Sequence, residues 1–200
     1  MKGFWHLMER YGKADEAQKQ DISKLLWDSF GVEACVMTLD MSGFSLSVRQ
    51  GPLLDYLAQI RRMQLAVTPV VVRHGGEVVK FEADNMAAVF PTCEAAAAAA
   101  HELHSACRLA SPVAGPVLKI ALGLDWGRFL LISGQDLYGD CVNVAFKLGE
   151  DLARAGETLI SEKVRSQLAP ESWSTRSQEI EISGLHFTAY ALEKRGSEGF

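Results

Sequence analysis

An α+β fold of the split βαβ (ferredoxin-like) type, an antiparallel sheet with helices packed on it, is predicted by three observations. Stretches with strand and helix signatures follow one another as strand, helix, strand, strand, helix, strand, with a helical and strand appendix after them. Glycine- and proline-marked turns separate these stretches. The 200-residue chain is 48% apolar and 22% charged, so it can bury a real core without staples, which excludes disordered, collagen-like and coiled-coil classes. The order predicts helices on one face of the sheet. Such a fold hosts many functions, so function must be argued from particular residues.

The elements follow in order. Ile22, Leu25, Leu26 and Phe30 recur at helical spacing, which predicts a helix over 13–30 that Gly31 stops. Phe4, Trp5, Leu7 and Met8 give residues 1–12 an apolar hook, which should pack on the body or on a partner chain. Residues 1–32 form a helical extension, and 33–200 form the main domain. The apolar run 33–40 reads as a buried strand that delivers Asp40 to a sheet edge, followed by the turn Met-Ser-Gly-Phe-Ser. A long helix follows Pro52, with an apolar stripe of Leu53, Leu54, Leu57, Ile60, Leu65 and Val72; Pro69 should kink it or end its regular part. His74-Gly75-Gly76 punctuates the chain before two short strands, 77–81 and 86–90, which read as a hairpin around Glu82-Ala83-Asp84-Asn85. Residues 94–110, with six consecutive alanines, form a close-packing helix. After a loop from Pro112 to Pro116, residues 117–132 are strand material broken by Gly123 and Gly127. A turn at 133–135, a helix at 140–154, a turn and strand at 156–161, a short helix at 162–168 and strands near 176–182 and 186–193 complete the chain.

Composition narrows function further. A formal charge of −5 argues against a surface devoted to nucleic acid. No uncharged apolar run approaches the ~18 residues of a membrane span, and Met1–Arg10 lacks the pattern of a secretory signal. Cys35, Cys93, Cys107 and Cys141 form no C-x-x-C pair and sit in apolar surroundings, which suits buried thiols in a reducing cytoplasm. His101 and His104 could share a helix face, but with no third ligand nearby they read as helix-surface histidines.

Two carboxylates stand out. Asp40 ends the first strand and Asp84 lies in the hairpin turn, and these two are neighbours in a split βαβ sheet. Paired carboxylates at a sheet edge can hold a hard divalent cation; each can equally be an ordinary turn residue. Lys80, four residues before Asp84, can form a surface ion pair. Asp136 precedes Leu-Tyr-Gly-Asp, and Asn143 and Lys147 share a helix face that can be simply solvated.

Four segments then carry a resemblance. LDMSGFS (39–45), HGGEVVKFEADNMAAVF (74–90), IALGLDWG (120–127) and DLYGDCVNVAFKLGEDLARAGETLIS (136–161) resemble, in the same order, the signature segments of class III adenylyl and guanylyl cyclase catalytic domains. The resemblance spans about 33–193 and implies the fold already predicted. It implies that Asp40, Asp84 and the backbone carbonyl of Met41 bind two Mg²⁺ or Mn²⁺ ions. Lys80 and Asp136 match the pair that reads the purine, in the adenine-type combination; Asn143 matches the ribose-orienting residue. Lys147 falls where an arginine usually steadies the transition-state phosphate. Arg128, Lys119 and Arg49 are candidates for the triphosphate. The activity implied is conversion of ATP to cyclic AMP by a cytoplasmic head-to-tail homodimer, with metal aspartates from one chain and base-reading residues from the other. Lys147, Ala83 in place of the usual glycine, and a short hairpin between Gly127 and Gly139 support an alternative: a weak or inactive module that binds nucleotide or a signalling partner.

Overall fold

The computed structural model describes residues 2–42, 52–112, 117–182 and 185–196. Helix α1 (Lys2–Tyr11) and helix α2 (Glu16–Phe30) form a helical hairpin where a single helix over 13–30 was expected. A capping box starts α2: the Gln18 amide donates to the Asp15 carboxylate at 2.9 Å, and the Asp15 amide donates back to the Gln18 side chain at 3.3 Å. Gly31 ends α2 and begins strand β1 (Gly31–Met41) at once, because a Cβ there would stand 2.4 Å from the Trp27 carbonyl oxygen. Phe4, Ile22 and Leu26 pack on Ile132, so the apolar hook lies against the body of the same chain.

Helix α3 (Leu53–Arg73) leads to the hairpin of β2 (Glu77–Glu82) and β3 (Asn85–Phe90). Helix α4 (Cys93–Leu109) follows, capped by the Thr92 hydroxyl, which accepts from the Ala95 amide at 3.1 Å. Strand β4 (Ile120–Ile132) folds back on short β5 (Asp136–Tyr138). Helix α5 (Asp140–Phe146) continues as one π-helical stretch, Lys147–Leu152. Strand β6 (Thr158–Ile160), helix α6 (Glu162–Arg165) and the pair β7 (Trp173–Ile182) and β8 (Leu185–Lys194) complete the described chain. The sheet order is β2-β3-β1-β4-β6-β8-β7. Its first four strands are antiparallel in the split βαβ arrangement, and β6 joins β4 in parallel.

Three expectations are corrected. First, α3 does not end at Pro69 but continues to Arg73. Burial of Val67, Val70 and Val71 in the core, about 1.5–3 kcal/mol each, offsets the roughly 3 kcal/mol cost of an interior proline. The buried face of α3 is Ile60, Met63, Val67, Val70 and Val71, while Leu53, Leu54, Leu57, Leu65 and Val72 of the expected stripe are exposed. The expected stripe mixes two faces; the buried set keeps the steps of three and four that one face requires.

Second, the sheet is covered on both faces. Cys35, Met37, Leu39 and Met41 of β1 meet α3 and α4, whereas Val36 joins Cys141, Val142 and Ala145 of α5 on the other side. Third, the glycines do not break β4. A Cβ on Gly123 would lie 2.2 Å from the Ala145 carbonyl oxygen and 2.3 Å from the Gly149 nitrogen. One on Gly127 would lie 3.0 Å from the Cys141 Cβ. Both face α5, and their missing side chains let the helix lie on the strand.

The Gly123 contact predicts that Gly123→Ala destabilises the protein by at least about 2 kcal/mol, since overpacked backbone cannot relax cheaply. Urea denaturation measures it. An unchanged midpoint would show that α5 is not seated on β4 in this way.

Candidate active site

Strand register sets the acidic centre. Asp40 lies opposite Ala121 of β4, one residue before β1 ends at Met41. Leu39 pairs with Met86 of β3, so the Ala83-Asp84 turn stands beside the Asp40 end of β1. Burial, and then the negative charge of Asp84, push the Asp40 carboxyl up to about 6. The Asp84 charge thus reaches Asp40. Their donors are carboxylate oxygens, and their mutual repulsion is what a hard divalent cation would relieve, so this set fits Mg²⁺ or Mn²⁺. Ser42 donates its amide to the Lys119 carbonyl at 3.0 Å, which sets Lys119 beside the same strand end.

A third carboxylate adjoins this centre. Glu150 is raised by burial and then by Asp40, Asp151, Glu82 and Asp84. It accepts from the Asn85 side-chain amide at 2.7 Å, while the Asn85 Oδ1 is buried with no donor. Sequence reading missed Glu150, because the π-helical winding that turns it toward β3 leaves no mark in the apolar spacing.

The second constellation is a pair of opposite charges. A bulge between Val78 and Lys80 shifts the register so that Lys80 lies opposite Ala87. Its ammonium stands 3.1 Å from the Asp136 Oδ1 and 3.2 Å from Glu82; Asp84 is not its partner. Partial burial opposes the Lys80 charge, but the bonds to Asp136 and Glu82 outweigh it and raise the pKa. Burial likewise pushes Asp136 up, and is outweighed by the Tyr138 hydroxyl, the Leu137 amide and Lys80, so its pKa is lowered. The Tyr138 hydroxyl donates to Asp136 Oδ2 at 2.8 Å, and the Leu137 amide donates to Oδ1 at 2.9 Å. Tyr138 in turn stacks on Phe4 of α1, with ring centroids 6.0 Å apart, and meets Trp5 edge-on. Tyr138 is a second residue that sequence reading missed, although its place two after Asp136 was a usable signal.

Asn143 is exposed on α5. Lys147 forms an ion pair with Asp151 at 2.9 Å. Among the described residues, no hydrogen bond or ion pair joins Asn143 or Lys147 to either constellation. Of the triphosphate candidates, Arg128 lies over the Trp27 ring at 4.5 Å, and Arg49 falls outside the described residues.

No known protein-family model matches the sequence, and no curated protein is significantly similar to it. Solved structures do match in fold. The catalytic core of a rhodopsin-guanylyl cyclase with converted specificity, in complex with ATPαS, superposes with a TM-score of 0.73 at 20% identity, over 82% of this chain and 98% of that one. The guanylate cyclase domain of RhGC from Catenaria anguillulae, in complex with GTP, gives 0.72 at 19%, over 82% and 97%. The adenylyl cyclase CyaB from P. aeruginosa gives 0.71 at 18%, over 84% and 98%. The fold is thus that of class III adenylyl and guanylyl cyclase catalytic domains.

Ala83, beside Asp84, holds φ +51°. A side chain resists that conformation. Ala83→Gly is expected to stabilise the protein by up to about 1 kcal/mol, read as a higher denaturation midpoint. A lower midpoint would mean that the turn is not strained by its alanine.

Proposed function

We propose that this chain is a nucleotidyl cyclase that converts ATP to 3′,5′-cyclic AMP and pyrophosphate, acting in the cytoplasm as a head-to-tail homodimer with sites shared between two chains. The observation that carries this reading is the Lys80–Asp136 pair, assembled at 3.1 Å on a fold of the cyclase type. Adenine presents an acceptor at N1 and a donor at its N6 amine. Lys80 can donate to the first, and ionised Asp136 can accept from the second. Guanine presents donors at N1 and N2, which would face the Lys80 ammonium donor to donor. Tyr138 and the Leu137 amide hold the Asp136 carboxylate in one orientation, ready for the base.

Asp40, Asp84 and the Met41 carbonyl of the other chain would hold two Mg²⁺ or Mn²⁺ ions. Such ions would neutralise the triphosphate and lower the cost of the 3′-alkoxide. Asn143 would orient the ribose, and Lys147 would place its ammonium on the transferring phosphate. The 3′-hydroxyl gives up its proton to water as its oxygen bonds to the α-phosphorus in line, the bond from that phosphorus to the bridging β-phosphate oxygen breaks, and pyrophosphate leaves. The four cysteines are buried and unpaired, in keeping with a reducing cytoplasm. Among the described residues, no helix is long and apolar enough to cross a membrane.

The Lys147–Asp151 pair favours a second reading. An ammonium already engaged at 2.9 Å, without the planar fork of arginine, suits a module that binds nucleotide or a partner and turns over slowly.

The test is product formation by the purified protein with ATP and, separately, GTP, in Mg²⁺ and in Mn²⁺, beside Asp84→Ala. The cyclase reading predicts cyclic AMP from ATP in excess over cyclic GMP from GTP, falling to background in the variant. A folded dimer that makes neither product would leave the binding module as the function.

A further inference from the structure

We propose that a cavity at the opposite edge of the sheet from the Asp84 hairpin is a binding site for a small polyanion carrying phosphate or carboxylate groups. The cavity has a volume of about 620 Å³ and lies between α4, the 154–158 turn and β8. In the strand order, β6 and β8 stand on one side of β4, while β1 and the Asp84 hairpin stand on the other. The inference therefore does not rest on the cyclase reading.

The floor is polar and buried. Thr158 is 5% exposed, and its hydroxyl bonds the His104 Nε2 at 2.9 Å. Burial, then the charges of Arg108 and His101, sink the His104 pKa to about 4. His104 is therefore a neutral hydrogen-bonding group at pH 7. His101 on the wall is also lowered, by burial and then by Lys194 and Arg108.

The rim is cationic in a protein whose net charge is −5. Arg108, Arg154, Arg176 and Lys194 face the cavity, against only Glu157 and Glu193. Glu157 is largely spoken for: it accepts from the Arg154 backbone amide at 2.9 Å and from the Gln178 side chain at 2.8 Å, and Arg176 pairs with it at 3.9 Å. The Arg108 guanidinium donates to the Ser105 hydroxyl at 3.1 Å. Among the described residues, neither Arg108 nor Arg154 has a carboxylate within 4 Å of its guanidinium. Two guanidiniums without ionic partners, over a buried hydroxyl and a neutral imidazole, supply forked donors for phosphate or carboxylate oxygens. A concavity of this size suits a small molecule rather than a polymer.

The test is an amide chemical-shift titration of the full chain with pyrophosphate and, separately, citrate, without divalent cations. We expect saturable shifts at Ser105, Gly156 and Thr158. The double variant Arg108→Gln, Arg154→Gln should weaken binding at least about tenfold. Both arginines are exposed, so the first variant should keep its fold, checked by an unaltered amide spectrum away from the cavity. Binding of pyrophosphate alone assigns a phosphorylated ligand, citrate alone a carboxylate ligand, and binding of both a general polyanion site. The proposal is overturned if neither probe saturates, if the shifts centre on Lys80 and Asp136, or if the arginine variant binds as the parent does.

Discussion

Two glycines meeting backbone to backbone hold the architecture of the candidate active site together. A Cβ on Gly149 would stand 2.8 Å from the Gly123 nitrogen and 2.5 Å from the Thr38 hydroxyl, so neither strand nor helix can carry a side chain there. The buried Thr38 hydroxyl closes the contact by donating to the Ala145 carbonyl at 2.8 Å. β1, β4 and α5 are thereby locked in one arrangement. Asn143 rides on the helix so fixed, and the π-helical stretch after it carries Lys147 and brings Glu150 to Asn85.

Charge is distributed unevenly over this frame. Asp40 is raised to about 6 and Glu150 is raised as well, each by burial and then by neighbouring carboxylates, and among the described residues no three such groups stand close enough together to hold a metal ion. Lys80 and Asp136 compensate one another and are each stabilised in the charged form. The Asp40 end is acidic, while at the other centre the Lys80 ammonium lies between Asp136 and Glu82. That division supports a reading in which two chains each bring a different half. The aromatic contacts of Phe4 and Trp5 with Tyr138 tie the N-terminal helix to the second half.

Strand and helix order were legible because alternation, alanine content and the Gly-Gly and Glu-Ala-Asp-Asn turns are local signals. The Asp40–Asp84 juxtaposition was legible too, since split βαβ topology makes β1 and the hairpin neighbours. What failed to show was set by contacts between distant residues. Gly123 reads as a strand breaker until Gly149 is seen against it. Pro69 reads as a kink or an end of the regular helix until the valines around it are known to be buried. Leu53, Leu54 and Leu57 read as core, yet face solvent. Tyr138 and Glu150 were missed because the first acts through one hydroxyl on Asp136, and the second depends on π-helical winding that no sequence period announces. The basic cavity was invisible for a similar reason: its arginines come from α4, the 154–158 turn and β7, far apart in the chain.

The central claim is that one site is built from two chains, with Asp84 from one and Lys80 from the other. Mixing separately inactive Asp84→Ala and Lys80→Ala proteins tests it most directly. In a freely exchanging mixture half the dimers are mixed, and each mixed dimer regains one intact site. Cyclic AMP formation should therefore return to roughly a quarter of the parent's, as two-fold symmetry dictates. Activity that stays at background, with mixed dimers shown to form, would contradict the shared site.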